Sequence, residues 1–269
     1  MYVSIKKQIK KTIPIGLYNR ISVFNSHMRF FRDGIFSYYY CGKNVFCPCC
    51  QRNFKKFLPF QGSLLQAVCP RCKCHGRHRL MWLYLKKKKK IDTQHIKLLH
   101  FAPEYILRKN LCSLSNIEYL SADLSAPLAM VKIDITAISY PENSFDVILC
   151  SHVLEHIEED RKAMSELFRV LKPGGWAILQ VPIAYDCPHT LEDPKITSPE
   201  DRLKFYGQED HVRYYGLDYA DRLSEAGFDV TADRYVNTLD ATLIKKYGLD
   251  CREDIYLCAK PIKPGLKCH

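Results

Sequence analysis

The chain has 269 residues, 47% of them hydrophobic and 26% charged, long enough for a full core and too apolar for a disordered tail. Its formal charge of +11 is unevenly spread. Residues 1–95 carry 20 basic and 2 acidic side chains, a balance of +18, whereas residues 96–269 carry 20 basic and 27 acidic ones, a balance of −7, so two parts of different chemistry share one chain.

The opening run, MYVSIKKQIKKTIPIG, is basic but is not followed by the apolar core of a signal peptide, and no stretch reaches the roughly 18 apolar residues of a membrane span. A cytoplasmic location is expected. Thiols stay reduced there, so the 13 cysteines are expected to include metal ligands rather than disulfides.

Residues 1–40 read as a basic amphipathic helical arm broken at Pro14. Ile5, Ile9 and Ile13 share a face beside Lys6, Lys7, Lys10 and Lys11, and Leu17, Ile21, Phe24, Met28 and Phe31 continue an apolar stripe towards a stop at Gly34. Such an arm packs on the main domain, or makes a peripheral contact with a membrane or nucleic acid.

Residues 41–95 form a second unit, a zinc-ribbon-like module with a linking helix. Cys47 and Cys50 make one C-x2-C pair, and Cys69 and Cys72 make another after an interval that suits a four-cysteine zinc site. Four thiolates close the coordination sphere, so such a site is structural rather than catalytic. Cys49, Cys74, His75 and His78 stand close enough in sequence to replace a member. The stretch 77–91, RHRLMWLYLKKKKKI, reads as a short apolar helix ending in five lysines, a solvated face or a contact for phosphates.

From residue 96 onward short apolar runs alternate with helical stretches: 96–102, 117–122, 146–151 and 176–182 as strands, 160–171 as a helix. That alternation predicts an α/β fold with a doubly wound, mostly parallel sheet. Ligands in such sheets sit beyond the carboxyl ends of the strands, at residues 100–104, Asp123, 152–156 and 182–185.

The stretch 142–182, ENSFDVILCSHVLEHIEEDRKAMSELFRVLKPGGWAILQVP, resembles class I S-adenosylmethionine-dependent methyltransferases of the type 11 group. SFDVI, LEH, a helix ending in RVLKPGG and an apolar strand recur together in that family, and 210–228 resembles its later segment. The resemblance covers about 96–260 of a domain spanning 96–269. It implies a Rossmann-like sheet of seven strands with one antiparallel strand near the edge, and S-adenosylmethionine as cofactor. Asp123 would accept hydrogen bonds from the ribose hydroxyls, Asp134 would help hold the adenine with Ile135 against the ring, and Ser151 would line the same site. Where the family has a glycine-rich first loop, this chain has His100-Phe101-Ala102-Pro103-Glu104. There Ala102 is small, Pro103 can open the next helix, and Glu104 would meet the methionine amino group. Lys172–Gly175 reads as the turn that ends the preceding helix.

Methyl transfer needs a nucleophile aligned with the methyl carbon, and a histidine serves as proton acceptor where the nucleophile is a hydroxyl. His152, just past the fourth strand, is the first candidate. His211 and Arg213 follow in an insertion that would close over the acceptor, Arg213 pairing with a carboxylate or phosphate. Glu155 and His156 of the LEH step read as structural. The expected activity is methylation of a small-molecule or glycan-like acceptor. Alternatives are an RNA methyltransferase of the rRNA type, using the basic zinc module, and a non-catalytic scaffold with a degenerate cofactor loop.

Overall fold

In a computed structural model of the chain, residues 28, 32–60, 63–125 and 129–262 are described. Most of the arm expected over 1–40 lies outside the described residues, Ile5, Ile9, Ile13, Leu17, Ile21, Phe24 and Phe31 included. Its described end is helical over 32–37 and closes in a 3-10 turn, Tyr38–Tyr40. Gly34 therefore sits inside the helix and does not end it, and its missing Cβ leaves room for the Arg71 guanidinium. No helix among the described residues is long and apolar enough to cross a membrane.

Two antiparallel pairs build the cysteine-bearing unit: β1 (Cys41–Cys47) with β2 (Arg52–Phe54), and β3 (Leu58–Phe60) with β4 (Ser63–Val68). The cysteines sit in the turn after β1 and the turn after β4, each bent by a left-handed residue, Gln51 and Lys73. Helix α1 (Gly76–Leu83) follows and loosens into a π-helical turn, Tyr84–Lys88. The lysine run that ends it is not a purely solvated face. Lys86 pairs with Asp92, Lys88 lies 2.5 Å from Asp233, and Lys89 covers the ring of Trp176 at 4.4 Å, tying the run to the edge of the main sheet.

The main sheet comprises β5 (Ile96–Phe101), β6 (Ile117–Asp123), β7 (Val131–Lys132), β8 (Phe145–Ser151), β9 (Leu171–Gln180), β10 (Asp229–Asp233) and β11 (Ile255–Ala259). Its order is β7-β6-β5-β8-β9-β11-β10, with β11 antiparallel to both neighbours and the other pairings parallel. This is the doubly wound, Rossmann-like sheet of class I methyltransferases, with the antiparallel strand one place in from the edge. Alternation along the strands divides the core in two. Leu98, Val147, Leu149 and Ile178 pack with α1, helix α2 (Tyr105–Cys112) and the buried cysteines. Leu99, Ile148 and Leu179 pack instead with helix α3 (Asp160–Val170). The cysteine unit thus shares a core with one face of the sheet.

Arg79 on α1 locks that contact. Its side chain is fully buried, donates to the carbonyls of Ala67 (2.9 Å), Cys74 (3.1 Å), Tyr247 and Gly248 (2.7 Å), and stacks on Phe57 at 3.9 Å. Tyr247 ends helix α6 (Ala241–Tyr247), which follows α4 (Pro199–Tyr206) and α5 (Tyr219–Glu225) in the chain.

The sequence Lys172–Gly175 does not form a loop. Helix α3 stops at Val170 and β9 starts at once, but three residues of β8 (Phe145 to Val147) face six of β9 (Leu171 to Trp176), so these four residues form a bulge within the strand. Gly174 takes the left-handed conformation there (φ 77°), and a Cβ on Gly175 would lie 2.8 Å from the Asp146 carbonyl.

The insertion between β9 and α5 is held by an ion cluster in which Asp160, Arg213 and Arg222 are buried and Glu192 reaches the surface. Glu192 lies 2.9 Å from Nε of Arg213 and 2.7 Å from Nη2 of Arg222, while Asp160 accepts from Tyr215 at 2.7 Å and lies 3.4 Å from Arg222. Burial opposes ionisation of Glu192, but the hydrogen bonds from Arg222 and Arg213 outweigh it and hold the carboxyl down at about 2.

Two predictions follow from this packing. Arg79→Met takes the guanidinium from the carbonyls of Ala67, Tyr247 and Gly248 and one of two donors from that of Cys74, and should cost about 3 kcal/mol of stability, read from the denaturant midpoint. Because the Glu192 carboxyl is held below its ordinary value of 4.5, its contribution to stability is complete above that value and is lost as pH falls towards about 2. The difference in unfolding midpoint between the wild type and Glu192→Gln should therefore shrink as the pH is lowered through this window.

Candidate functional site

The first loop has no glycine, yet it adopts the backbone that a glycine would supply. Ala102, immediately after β5, is left-handed (φ 46°), with its N–H on the Ala122 carbonyl at 2.9 Å. His152, immediately after the neighbouring strand β8, is left-handed too (φ 55°), and its N–H reaches the Gln180 carbonyl at 2.8 Å. The sheet order reverses between these two strands, and their turned ends open a cavity of about 540 Å3.

Of the residues expected from sequence, Ala102, Asp123, Asp134, Ile135 and His152 line this cavity, joined by Phe101, Ile133 and His156. Asp123 ends β6 and is braced by the Ser125 N–H at 2.6 Å. Asp134 accepts from the Thr136 N–H and hydroxyl, both at 2.8 Å on one oxygen, and these bonds hold its carboxyl below the usual range. Ile133 and Ile135 are buried and flank it with apolar surface. A carboxylate at one strand end and another beside an apolar wall fit a nucleoside, with polar sugar hydroxyls at one end and a flat base at the other.

His100, Glu104 and Ser151 stand outside the cavity lining, contrary to expectation. His100 is fully buried, with Nδ1 on the Tyr119 hydroxyl at 2.9 Å and Nε2 on Glu104 at 3.1 Å. The other Glu104 oxygen lies 3.4 Å from Nε2 of His78 on α1. Burial works against the Glu104 charge, but His100 and His78 prevail and hold the carboxyl down at about 2. Glu104 therefore couples the first loop to the cysteine unit. Ser151 is the last residue of β8 and is buried.

Arg213 does not reach the cavity. It is 4% exposed, and Glu192 and the carbonyls of Leu154, Ile157 and Glu158 take four of its five N–H donors. His211 is also buried, with Nδ1 on the Tyr206 carbonyl at 3.1 Å, and burial lowers its pKa. It packs edge-on against His156 at 4.8 Å, behind the cavity wall. The 3-10 turn Leu154–His156 carries Glu155, 1% exposed, to 3.2 Å from Nδ1 of His152. The LEH step thus belongs to the site. The signal in the sequence was the H-x-x-E-H spacing of His152, Glu155 and His156, which brings the three together within one turn.

The cysteines gather as a buried cluster. Cys47, Cys69, Cys72 and Cys74 have sulfurs within 4.8 Å of one another, and Cys50 lies 3.7 Å from Cys69 at the rim. Cys47 is 3.4 Å from Cys74 and 3.7 Å from Cys72. Three of the four cysteines read from the spacing are therefore joined by Cys74, because the turn after β4 folds back to bond Cys69 N–H to the Cys74 carbonyl. Cys49 turns away to donate to the His78 carbonyl. Converging soft donors with no open side fit a structural zinc ion.

Residues 107–179 match the methyltransferase domain family of the type 11 group. A ubiquinone/menaquinone biosynthesis C-methyltransferase of Salmonella arizonae is 36% identical over 67 residues, which are 25% of this chain and 22% of that enzyme, so the chain spans about a fifth of the length of the curated relative it matches. Among solved structures, the [4+2]-cyclase SpnF is similar at 14% identity and a TM-score of 0.46, over 77% of this chain and 87% of that one. Phosphoethanolamine N-methyltransferase 2 of Haemonchus contortus, bound to phosphomonomethylethanolamine and S-adenosylhomocysteine, is similar at 14% identity and a TM-score of 0.45, over 67% and 52% of the two chains. The sequence match is concentrated in the stretch that runs from α2 through β9, which forms the middle of the sheet and most of the cavity wall.

Proposed function

We propose that this chain is an S-adenosylmethionine-dependent methyltransferase acting on a small-molecule or glycan-like acceptor. The observation that carries the reading is the convergence of left-handed Ala102, Asp123, Asp134, Ile135 and His152 on one cavity where the sheet order reverses. The family match over 107–179 supports it. The cofactor, when bound, supplies a methyl group on a sulfonium sulfur. Asp123 would receive the ribose hydroxyls, and Asp134 with Ile133 and Ile135 would hold the base. The turn at Ala102 lets the backbone come close where a larger side chain would stand in the way.

His152 would take a proton from an acceptor hydroxyl, with the buried Glu155 carboxylate 3.2 Å from its Nδ1. Arg213 and Arg222 fasten the insertion, of which Asp210 lines the cavity. His211 backs His156 without touching the acceptor. A zinc ion held by Cys47, Cys69 and Cys72 with Cys74 or Cys50 would stiffen the turn that leads into α1 and, through His78 on that helix, the Glu104 loop. Reduced, clustered thiols suit the cytoplasm.

An RNA acceptor is the second reading. Arg52, Arg71, Lys86 and Lys109 line a cleft of about 390 Å3 between the cysteine unit and the sheet domain, and such a cleft suits a phosphate backbone. The pairing of Lys86 and Lys88 with aspartates weighs against it. Binding that falls steeply with salt would favour RNA.

Calorimetric titration with S-adenosylmethionine and its demethylated product tests the cofactor reading. Both should bind, and Asp123→Ala should weaken them by about tenfold or more, about 1.4 kcal/mol. Failure of the folded wild type to bind either would favour the scaffold alternative. For the cysteine cluster, Cys69→Ser should lower the zinc content of the purified protein by about one ion per chain. A wild type that is folded and free of metal would end the zinc assignment.

A further inference from the structure

Behind His156, side chains from two separate loops converge on one point. Ligand atoms of Glu155, His156 and His211 lie within 4.8 Å of one another. Glu155 is 1% and His211 3% exposed, and neither carboxylate oxygen of Glu155 nor Nε2 of His211 makes a hydrogen bond among the described residues. The tautomers follow from the partners on the other side. A backbone carbonyl only accepts, so Nδ1 of His211 at 3.1 Å from the Tyr206 carbonyl carries the hydrogen, as does Nδ1 of His156 at 3.2 Å from the Asp210 carbonyl. Each ring therefore keeps a bare lone pair on Nε2. The Glu155 carboxylate and Nε2 of His211, acceptors both, are buried without a hydrogen-bond partner among the described residues beside the His156 ring, an arrangement that is costly unless a cation lies between them.

We propose that Glu155, His156 and His211 form a binding site for a divalent transition-metal ion. Two imidazoles and one carboxylate are the donor set of zinc and ferrous sites that keep open positions, whereas magnesium and calcium favour oxygen alone. Both histidines already have the opposite ring nitrogen anchored on a carbonyl, which fixes the ring for ligation. His156 and Asp210 line the cavity while Glu155 and His211 lie behind it, so the open positions face the cavity and would take an oxygen of water or of a bound acceptor. Glu155 has two oxygens, enough to meet the ion with one and stay beside His152 with the other. Metal binding here does not depend on the methyltransferase reading, and either can fail without the other.

Cobalt(II) titration of the full chain separates this site from the cysteine cluster, because thiolate-bound cobalt shows an intense sulfur-to-metal charge-transfer band and imidazole-bound cobalt does not. The wild type should show a binding step with weak d–d absorption alone. In His156→Gln and His211→Gln that step should weaken by at least about 100-fold, the upper end of what losing a mere outer partner costs, with the thiolate band unchanged. His156 is only partly buried, so its variant should keep the wild-type near-ultraviolet circular dichroism. Absence of a non-thiolate step in the wild type overturns the site, as does an undiminished step in folded His156→Gln. If both variants unfold, cobalt X-ray absorption of the wild type decides: imidazole scattering supports the site and its absence overturns it.

Discussion

A single buried guanidinium sets how the two chemistries of this chain meet. Arg79 has four carbonyls, rather than a carboxylate, around its charge, two from the cysteine unit and two from the end of α6. Carbonyl dipoles satisfy a buried cation only when several point at it from fixed positions, so each of these segments constrains the others. Gly248 makes the approach possible. It is left-handed, and a Cβ there would come within 2.6 Å of the Phe57 ring on which Arg79 stacks. With α1 fixed in this way, His78 faces Glu104, and the first loop of the sheet domain is held from the side of the cysteine unit.

The cavity depends on a second constraint, the left-handed turns at Ala102 and His152. Non-glycine residues in that conformation cost on the order of 1 kcal/mol each, and here they end adjacent parallel strands at the point where the chain changes direction across the sheet. The strain is offset by surroundings that leave little choice: the N–H of each residue is bonded to a neighbouring strand, and the β5 and β8 side chains beneath are fully packed. Ala is the smallest side chain that can stand in for glycine there, which accounts for an open cavity without the glycine-rich loop. At His152 the same turn aims an imidazole at the cavity and brings Glu155 up behind it.

Charges that look alike in the sequence have separate duties in the fold. Arg213 and Arg222 are engaged by Glu192, Asp160 and backbone carbonyls, so they hold the insertion in place. Three members of the lysine run are likewise engaged with Asp92, Asp233 and Trp176, which removes much of the basic face that the composition advertises.

Local pattern was enough to read 96–102, 117–122 and 146–151 as strands and 160–171 as a helix, to within a residue of what is found, because strand alternation and helix periodicity are written over a few neighbouring residues, whereas Asp123 and Asp134 were singled out by the family resemblance. The C-x2-C spacing likewise marked the cysteine turns, although it could not say that Cys74 would fold back beside Cys47, since that depends on how the turn after β4 closes. Other features join residues far apart in the chain: Arg79 with Gly248, His78 with Glu104, Glu155 with His211. No periodicity records such pairs. The bulge at 172–175 looked like a loop because proline and glycine signal both, and only the pairing with β8 and β11 keeps those residues in a strand. Side-chain direction belongs to the same class: His100 and Glu104 sit at the right end of the right strand, yet they point at the cysteine unit, because the packing of α1 against the sheet gives them partners there.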